Sequence, residues 1–287
     1  MHISGTTTML GLIGTPVAHS KSPAMYNHCF QKFGLDWAYL AFDVPAEKAG
    51  EAVAAIRTLH MRGANVTMPC KNAVIPYLDE LTPAAKAIQA VNTIVNENGH
   101  LVGHNTDGCG YTQNLRRNGV EVAGKKIVLL GGGGAASAIA IQAALEGAGE
   151  IAVFNLKDAF WPRVEKGLEA IGQAAPDCKI SLHDLEDRET LKAAIECCDI
   201  LSNATRVGMA PYEDQSNITD LSWFRSDLVV TDVVYAPPTT KMLREARTAG
   251  CKTCDGLGML LCQGAEAFRL YSGLEMPIEE IRALLYA

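Results

Sequence analysis

The sequence predicts an α/β protein made of two consecutive β-α blocks. Two observations carry that expectation. Short apolar, β-branched runs alternate with segments of helical period along the whole chain. The length, 287 residues, exceeds what one simple core usually organises.

Strand patterns fall at Leu10–Ile13, Trp37–Val44, Gly63–Thr67, Val91–Val95, Ile127–Leu130, Ile151–Phe154, Lys179–Ser181, Ile200–Asn203 and Leu228–Thr231. Helical patterns lie between them at Pro23–Phe33, Ala46–Leu59, Gly108–Asn118, Ala135–Glu146, Glu189–Cys197 and Thr240–Ala249. Such alternation predicts parallel sheets with helices on both faces. Ser22 before Pro23 reads as an N-cap followed by proline at the first helical position. The chain turns strongly helical after Gly258, and these last helices are expected to pack back on the first block. The boundary is placed within Asn105–Asn118, so residues 1–107 with 259–287 form one domain and 108–258 the other.

Composition narrows the function. Hydrophobic residues make up 48% and charged residues 20%, a soluble globular balance without long disorder. The net charge of −7 and the lack of a basic block exclude nucleic acid but leave room for a small acidic ligand. No window reaches the roughly 18 apolar residues of a membrane span. The start, Met1 to Thr8, has neither a basic region nor a long apolar one, so no secretory signal is expected and the location expected is cytoplasmic. The nine cysteines read as reduced thiols. Cys251-Lys-Thr-Cys254 lacks a second pair or a histidine partner, which favours two neighbouring strand thiols over zinc or redox chemistry. No metal is expected.

Lys126-Ile-Val-Leu-Leu130 runs directly into Gly131-Gly132-Gly133-Gly134-Ala135-Ala136, with an apolar helix pattern behind. Gly131 and Gly133 take the first two glycine positions of a dinucleotide fingerprint and Ala136 the third. Tight turning from strand to helix needs glycine's freedom at positive φ, and the helix start offers unpaired N–H groups to a pyrophosphate. No lysine follows at the spacing of a nucleoside triphosphatase loop. The second block is therefore expected to be a Rossmann dinucleotide-binding domain. Asn155 and Asp158 follow its second strand, where such folds place the ribose ligand.

Seven further motifs, in order, span nearly the whole chain. They are Ser20-Lys-Ser-Pro23, Asn65-Val-Thr-Met-Pro-Cys-Lys71, Ala90-Val-Asn-Thr93, Gly103-His-Asn-Thr-Asp107, Asn203-Ala-Thr-Arg-Val-Gly-Met209, Val234-Tyr235 and Asp255-Gly-Leu-Gly-Met-Leu-Leu-Cys-Gln263-Gly264. Together they resemble the shikimate dehydrogenase family, and Phe154–Phe160 with Leu78–Lys86 looks closest to its quinate/shikimate branch. The resemblance implies an N-terminal α/β substrate domain plus the C-terminal Rossmann domain, with a cleft between them. It implies reversible hydride transfer between NAD(P) and the 3-hydroxyl of shikimate, and of quinate.

By the same resemblance Lys71 and Asp107 are the catalytic pair. A base must take the hydroxyl proton as hydride leaves, and a lysine serves if its surroundings bring its pKa toward working pH. Whether Lys71 is that base or a positioned cation sharing protons with Asp107 stays open. Ser20 and Ser22 would hold the substrate carboxylate. Thr67, Asn92, Thr106, Tyr235 and Gln263 would line the pocket, since a ring bearing several hydroxyls needs neutral donors and acceptors. Asn203, Thr205, Gly258 and Met259 would flank the cofactor. Three positions depart from the family pattern: Leu156-Lys157 replaces an arginine-containing pair, Ala236 an asparagine, and Cys70 a larger side chain, which suggests sensitivity to alkylation. Without that arginine, and with Asp158 to meet free ribose hydroxyls, NAD is expected to be preferred and NADP to be the second cofactor. The expected partner is a small-molecule substrate, with a homodimer as the candidate assembly. Two rivals are a sister dehydrogenase for an amino-substituted shikimate and a catalytically idle metabolite sensor. A sensor would need neither Lys71 nor Asp107.

Overall fold

The structure, a computed structural model, describes residues 3–286, so Met1, His2 and Ala287 lie outside it, including the start of the N-terminal stretch read above. It forms two compact units, one running to Thr106 and resuming at Gln263, the other Asp107–Cys262.

The first unit contains β1 (Thr8–Gly14), α1 (Ser22–Lys32), β2 (Trp37–Asp43), α2 (Ala49–Thr58), β3 (Gly63–Val66), α3 (Cys70–Ala73), β4 (Glu80–Leu81), α4 (Pro83–Ile88), β5 (Thr93–Glu97) and β6 (His100–His104). Its sheet has the order β2-β1-β3-β5-β6-β4. The expectation of parallel pairing fails here, because β5 runs antiparallel to both β3 and β6. The cause is local. Asn98 and Gly99 both take positive φ, 56° and 97°, and close a two-residue hairpin that reverses the chain.

Two strand ends also fall short of expectation. β3 stops at Val66 and β5 starts at Thr93, which leaves Thr67 and Asn92 just outside the ladder. Ser22 does not cap α1. Its own N–H donates to the Ser20 hydroxyl oxygen at 3.2 Å, so Ser20 serves the helix start. Below the sheet, Ile13, Val53, Ile56, Val66, Ile94 and Leu101 form one buried cluster. Against the other elements stand the aromatic rings of Tyr26, Tyr39, Phe30, Phe268 and Tyr271, with Tyr26 and Tyr39 stacked at 4.5 Å.

The second unit contains α5 (Asp107–Arg117), β7 (Lys126–Leu130), α6 (Gly134–Leu145), β8 (Glu150–Asn155), α7 (Trp161–Ala174), β9 (Lys179–Asp184), α8 (Arg188–Cys197), β10 (Ile200–Asn203), β11 (Val229–Asp232), α9 (Lys241–Thr248) and β12 (Lys252–Cys254). The chain ends in α10 (Gly256–Ser272), which starts in this unit, and α11 (Ile278–Tyr286). Every pair in the sheet β12-β11-β10-β7-β8-β9 is parallel. Chain order reverses between β7 and β10, and ligands of such sheets bind beyond the strand ends at that reversal. α7 is absent from the expected helices, although Val164, Leu168 and Ile171 are buried at helical spacing. Leu130, Phe154, Leu201, Val230 and Leu243 fill the core on one face.

Gly63 shows how tightly the first unit is packed. A Cβ placed there would collide with the Ile94 carbonyl oxygen and lie 2.8 Å from the Tyr271 ring. Gly63→Ala should cost about 2 kcal/mol by urea unfolding, the scale of an overpacked core. An unchanged midpoint would show that β3 and β5 can move apart freely.

Candidate active site

One end of the first unit's sheet gathers most of the residues expected to hold substrate. Ser20 and Ser22 follow β1, and Thr67 and Lys71 follow β3. Because β5 is antiparallel to β3, its leading residue Asn92 arrives at that same end. Thr93 pairs with Asn65 and with His104, which puts Thr106 beside them too. The antiparallel run of β5 therefore brings Asn92 to the site, and the hairpin after it returns the chain to Thr106.

Asn92, 4% exposed, is the hub. Its side-chain oxygen accepts the Thr106 N–H at 2.9 Å, the Thr93 hydroxyl at 3.0 Å and the Thr106 hydroxyl at 3.2 Å. Thr106 lies 3.4 Å from the Gln263 side-chain oxygen, which ties α10 to the same group. Behind Asn92, the Asn65 amide nitrogen donates to Thr93 Oγ1 at 3.1 Å, while its oxygen accepts the Tyr39 hydroxyl at 2.9 Å. Burial pushes the Tyr39 phenol well above its ordinary value, so it stays a donor. Asn65, Thr93 and Tyr39 were absent from the expected site list. Asn65 and Thr93 sit inside the quoted motifs, but nothing in the sequence marks Tyr39.

Lys71 is half-buried on α3, its backbone oxygen accepting the Val91 N–H at 2.9 Å. That bond fastens the lysine's turn to the segment leading to Asn92. Cys70, next to it, is fully buried and donates to the Val44 carbonyl at 3.2 Å. Burial raises its pKa and shields the thiol, which argues against the expected alkylation sensitivity. Asp107 opens α5 in the second unit, where its charge suits the helix dipole.

The glycine turn follows β7. Gly131 has φ 103°, a conformation that favours glycine, and its N–H donates to the Phe154 carbonyl at 2.7 Å. A Cβ on Gly132 would press on Val164 at 2.7 Å and Asn155 at 3.1 Å, whereas Gly133 and Gly134 face open space. Gly133 sits at the N-cap of α6 with no side chain capping it. Ala136 is 2% exposed and packs inward. An uncapped helix start behind an open glycine pair fits a dinucleotide pyrophosphate.

On one flank of this turn stands Asn155. On the other, a Cβ on Gly131 would meet the Ala204 carbonyl oxygen at 2.9 Å and Thr205 Cγ2 at 3.1 Å. Asn203 itself is 1% exposed. Its oxygen accepts from the Thr205 N–H and hydroxyl at 3.1 and 2.7 Å, and its nitrogen donates to Asp232 at 2.9 Å. Asn203 thus holds the wall that Thr205 forms. Asp232 was not expected. It is 3% exposed, and burial pushes its carboxyl up to about 6 against the pull of Thr240, Val234 and Asn203. Tyr235, further along the same loop, is 48% exposed. Gly258 lacks a Cβ because the Asn114 carboxamide occupies that place, and its N–H donates to the Asp255 carboxylate at 2.7 Å. Met259 is buried. Cys251 and Cys254 are free and buried, the Cys254 thiol pushed up by burial to about 11.

Asp158 behaves otherwise than its spacing suggests. Its carboxylate accepts the Phe160 N–H at 2.8 Å and its own N–H donates to the Leu156 carbonyl at 2.9 Å. The carboxylate is engaged in a local turn before α7. Lys157 lies 5.8 Å over the Trp161 ring, which places a cation at the same turn.

Comparison with known proteins bears on these features. The family model described as the shikimate dehydrogenase substrate binding domain matches residues 12–94, and that of the shikimate 5'-dehydrogenase C-terminal domain matches residues 256–286. The shikimate dehydrogenase (NADP(+)) of Streptococcus uberis is 50% identical over 99% of this chain and 97% of its own. A crystal structure of shikimate 5-dehydrogenase from Listeria monocytogenes, in complex with shikimate and NAD, has a TM-score of 0.96 at 46% identity, covering 100% of this chain and 99% of that one. Quinate dehydrogenase from Corynebacterium glutamicum, in complex with NAD, has a TM-score of 0.85 at 31% identity, covering 96% and 98%.

The expected preference for NAD is overturned by this comparison. Relatives from Streptococcus uberis, Listeria monocytogenes and Alkaliphilus metalliredigens, 46–50% identical, carry NADP(+) in their names. The physical reason lies in the turn just described: the Asp158 carboxylate closes its own backbone, and Lys157, a flexible cation able to reach a 2′-phosphate, stands at the same turn. With nearly the full length matched at up to 50% identity, the chain belongs to the shikimate dehydrogenase family.

Proposed function

We propose that this chain is a shikimate dehydrogenase that uses NADP, interconverting the 3-hydroxyl of shikimate and the ketone of 3-dehydroshikimate. The observation that carries this reading is the polar ring at one end of the first sheet, where Asn92, Thr106 and Gln263 are tied together beside Lys71's turn. The names of the relatives supply the substrate and the cofactor.

Held by its pyrophosphate at the glycine turn, the dinucleotide would supply the hydride acceptor. The remaining steps fall to side chains. The hydroxyls of Ser20 and Ser22 donate to the carboxylate of shikimate and fix the ring's orientation. Thr67, Asn92, Thr106, Gln263 and Tyr235 meet the ring hydroxyls, each of which would cost about 1–3 kcal/mol if buried unpaired. Lys71 takes the 3-hydroxyl proton and returns it in the reverse direction, with Asp107 as the second member of the catalytic pair. Thr205, Gly258 and Met259 line the cofactor, Asn203 steadies Thr205, and Asn155 stands against the glycine turn. Quinate shares the carboxylate and the 3-hydroxyl, and the likeness to a quinate dehydrogenase favours it as a second substrate.

The test is the absorbance of reduced nicotinamide formed with shikimate, quinate and an amino-substituted shikimate. Saturable turnover of shikimate is expected, and turnover of the amino analogue alone would contradict the reading. Lys71→Ala should lower kcat by roughly 10²–10⁴-fold with KM little changed. Retention of kcat within about threefold would remove Lys71 from proton transfer.

Ser20→Ala and Ser22→Ala should each raise KM for shikimate about tenfold, the scale of a lost hydrogen bond to a charged group. The same variants should bind a carboxamide analogue as the parent does, and an equal loss for acid and amide would show that neither serine touches the carboxylate. With saturating shikimate, kcat/KM should be higher for NADP than for NAD. Lys157→Ala should narrow that ratio, and an unchanged ratio would exclude Lys157 from phosphate recognition.

A further inference from the structure

We propose that Asp232, at the end of β11, is a positioning residue for the cofactor: through Asn203 it sets the Ala204–Thr205 wall of the glycine turn. The inference rests on the reading of Thr205 as cofactor-lining.

A buried carboxylate is a costly choice for a loop that merely needs fastening. Here both oxygens are used. Oδ1 accepts the Asn203 amide nitrogen and the Val234 N–H, each at 2.9 Å, and Oδ2 accepts the Thr240 hydroxyl at 2.7 Å. All three partners are donors at these contacts, so the site suits an acceptor without protons. That fixes which way the Asn203 amide points. Its nitrogen faces Asp232 and the Val207 carbonyl, so its oxygen must face the loop. There it collects the Thr205 N–H, the Thr205 hydroxyl and the Asn217 amide at 3.1, 2.7 and 3.1 Å. The Thr205 hydroxyl oxygen in turn accepts the Val207 N–H at 3.1 Å and the Asn217 amide at 2.9 Å. The chain of polarity therefore runs from Asp232 to Asn203 to the Ala204–Thr205 segment, which touches Gly131. An amide at position 232 could keep its oxygen on Asn203 and Val234 by turning its nitrogen to the Thr240 hydroxyl, whereas an alanine there leaves both N–H donors unmet and removes the reason for Asn203's orientation.

Asp232→Ala should raise KM for NADP about tenfold, as expected for one lost hydrogen bond to a charged group, while KM for shikimate stays near the parent's. In an Asn203→Ala background, which should itself raise KM for NADP, adding Asp232→Ala should have no further effect, because the two act in series. A general structural role would instead move both KM values and kcat together, or add to the Asn203→Ala effect, and either result overturns the proposal. If Asp232→Ala does not fold, Thr240→Val removes the Oδ2 partner and should raise KM for NADP about threefold, and no rise would overturn it. An unchanged KM for NADP in Asn203→Ala would sink the cofactor-wall reading itself, and this inference with it.

Discussion

A buried amide has no water to turn to, so its oxygen and nitrogen must each be met by protein. Two asparagines impose that condition on the two units. Asn92 accepts Thr106 and Thr93 on its oxygen, and Asn203 accepts Thr205 and Asn217 on its own. Each amide has its oxygen committed, and that fixes the orientation of the whole group. Neighbouring loops that would otherwise be soft are then held in one arrangement. An error in either amide would leave several donors unpaired at once, at about 1–3 kcal/mol each.

The sheets decide where those amides stand. In the second unit the reversal of chain order between β7 and β10 sets Asn203 opposite the glycine turn. In the first unit β5 runs back against β3, which brings Asn92 to the end of the sheet reached by Ser20 and Lys71, and the Asn98-Gly99 hairpin after β5 returns the chain to Thr106 at that same end. A substrate bearing a carboxylate and several hydroxyls asks for hydroxyl and amide groups in quantity. The first unit supplies them as a connected set, reaching back through Asn65 to the buried Tyr39.

Much of this was legible in the sequence. The glycine turn announces itself because only glycine takes the backbone shape of Gly131 easily, and the strand before it and the helix after it carry plain periodicities. Ser20, Lys71, Asn92 and Thr106 could be found because each sits in a short motif of fixed order. The hairpin was missed although Asn98-Gly99 is a strong turn signal, since the β-α alternation around it favoured parallel pairing. Asp158 misled because spacing along a chain does not reveal which backbone N–H a carboxylate will accept. Asp232 looked like any acid after a strand, and its meaning comes from three partners supplied by other segments or by its own loop. Tyr39 and Cys70 depended on burial, which one-dimensional pattern does not give at single positions.

Placement of both ligands tests the central claim most directly. A crystal structure with shikimate and NADP bound should show the carboxylate on Ser20 and Ser22, ring hydroxyls on Asn92, Thr106 and Gln263, and the 3-hydroxyl against Lys71. The pyrophosphate should lie over Gly133 and Gly134 with Thr205 beside the cofactor. Shikimate bound away from the Asn92 hub, or a pyrophosphate away from the start of α6, would contradict the account.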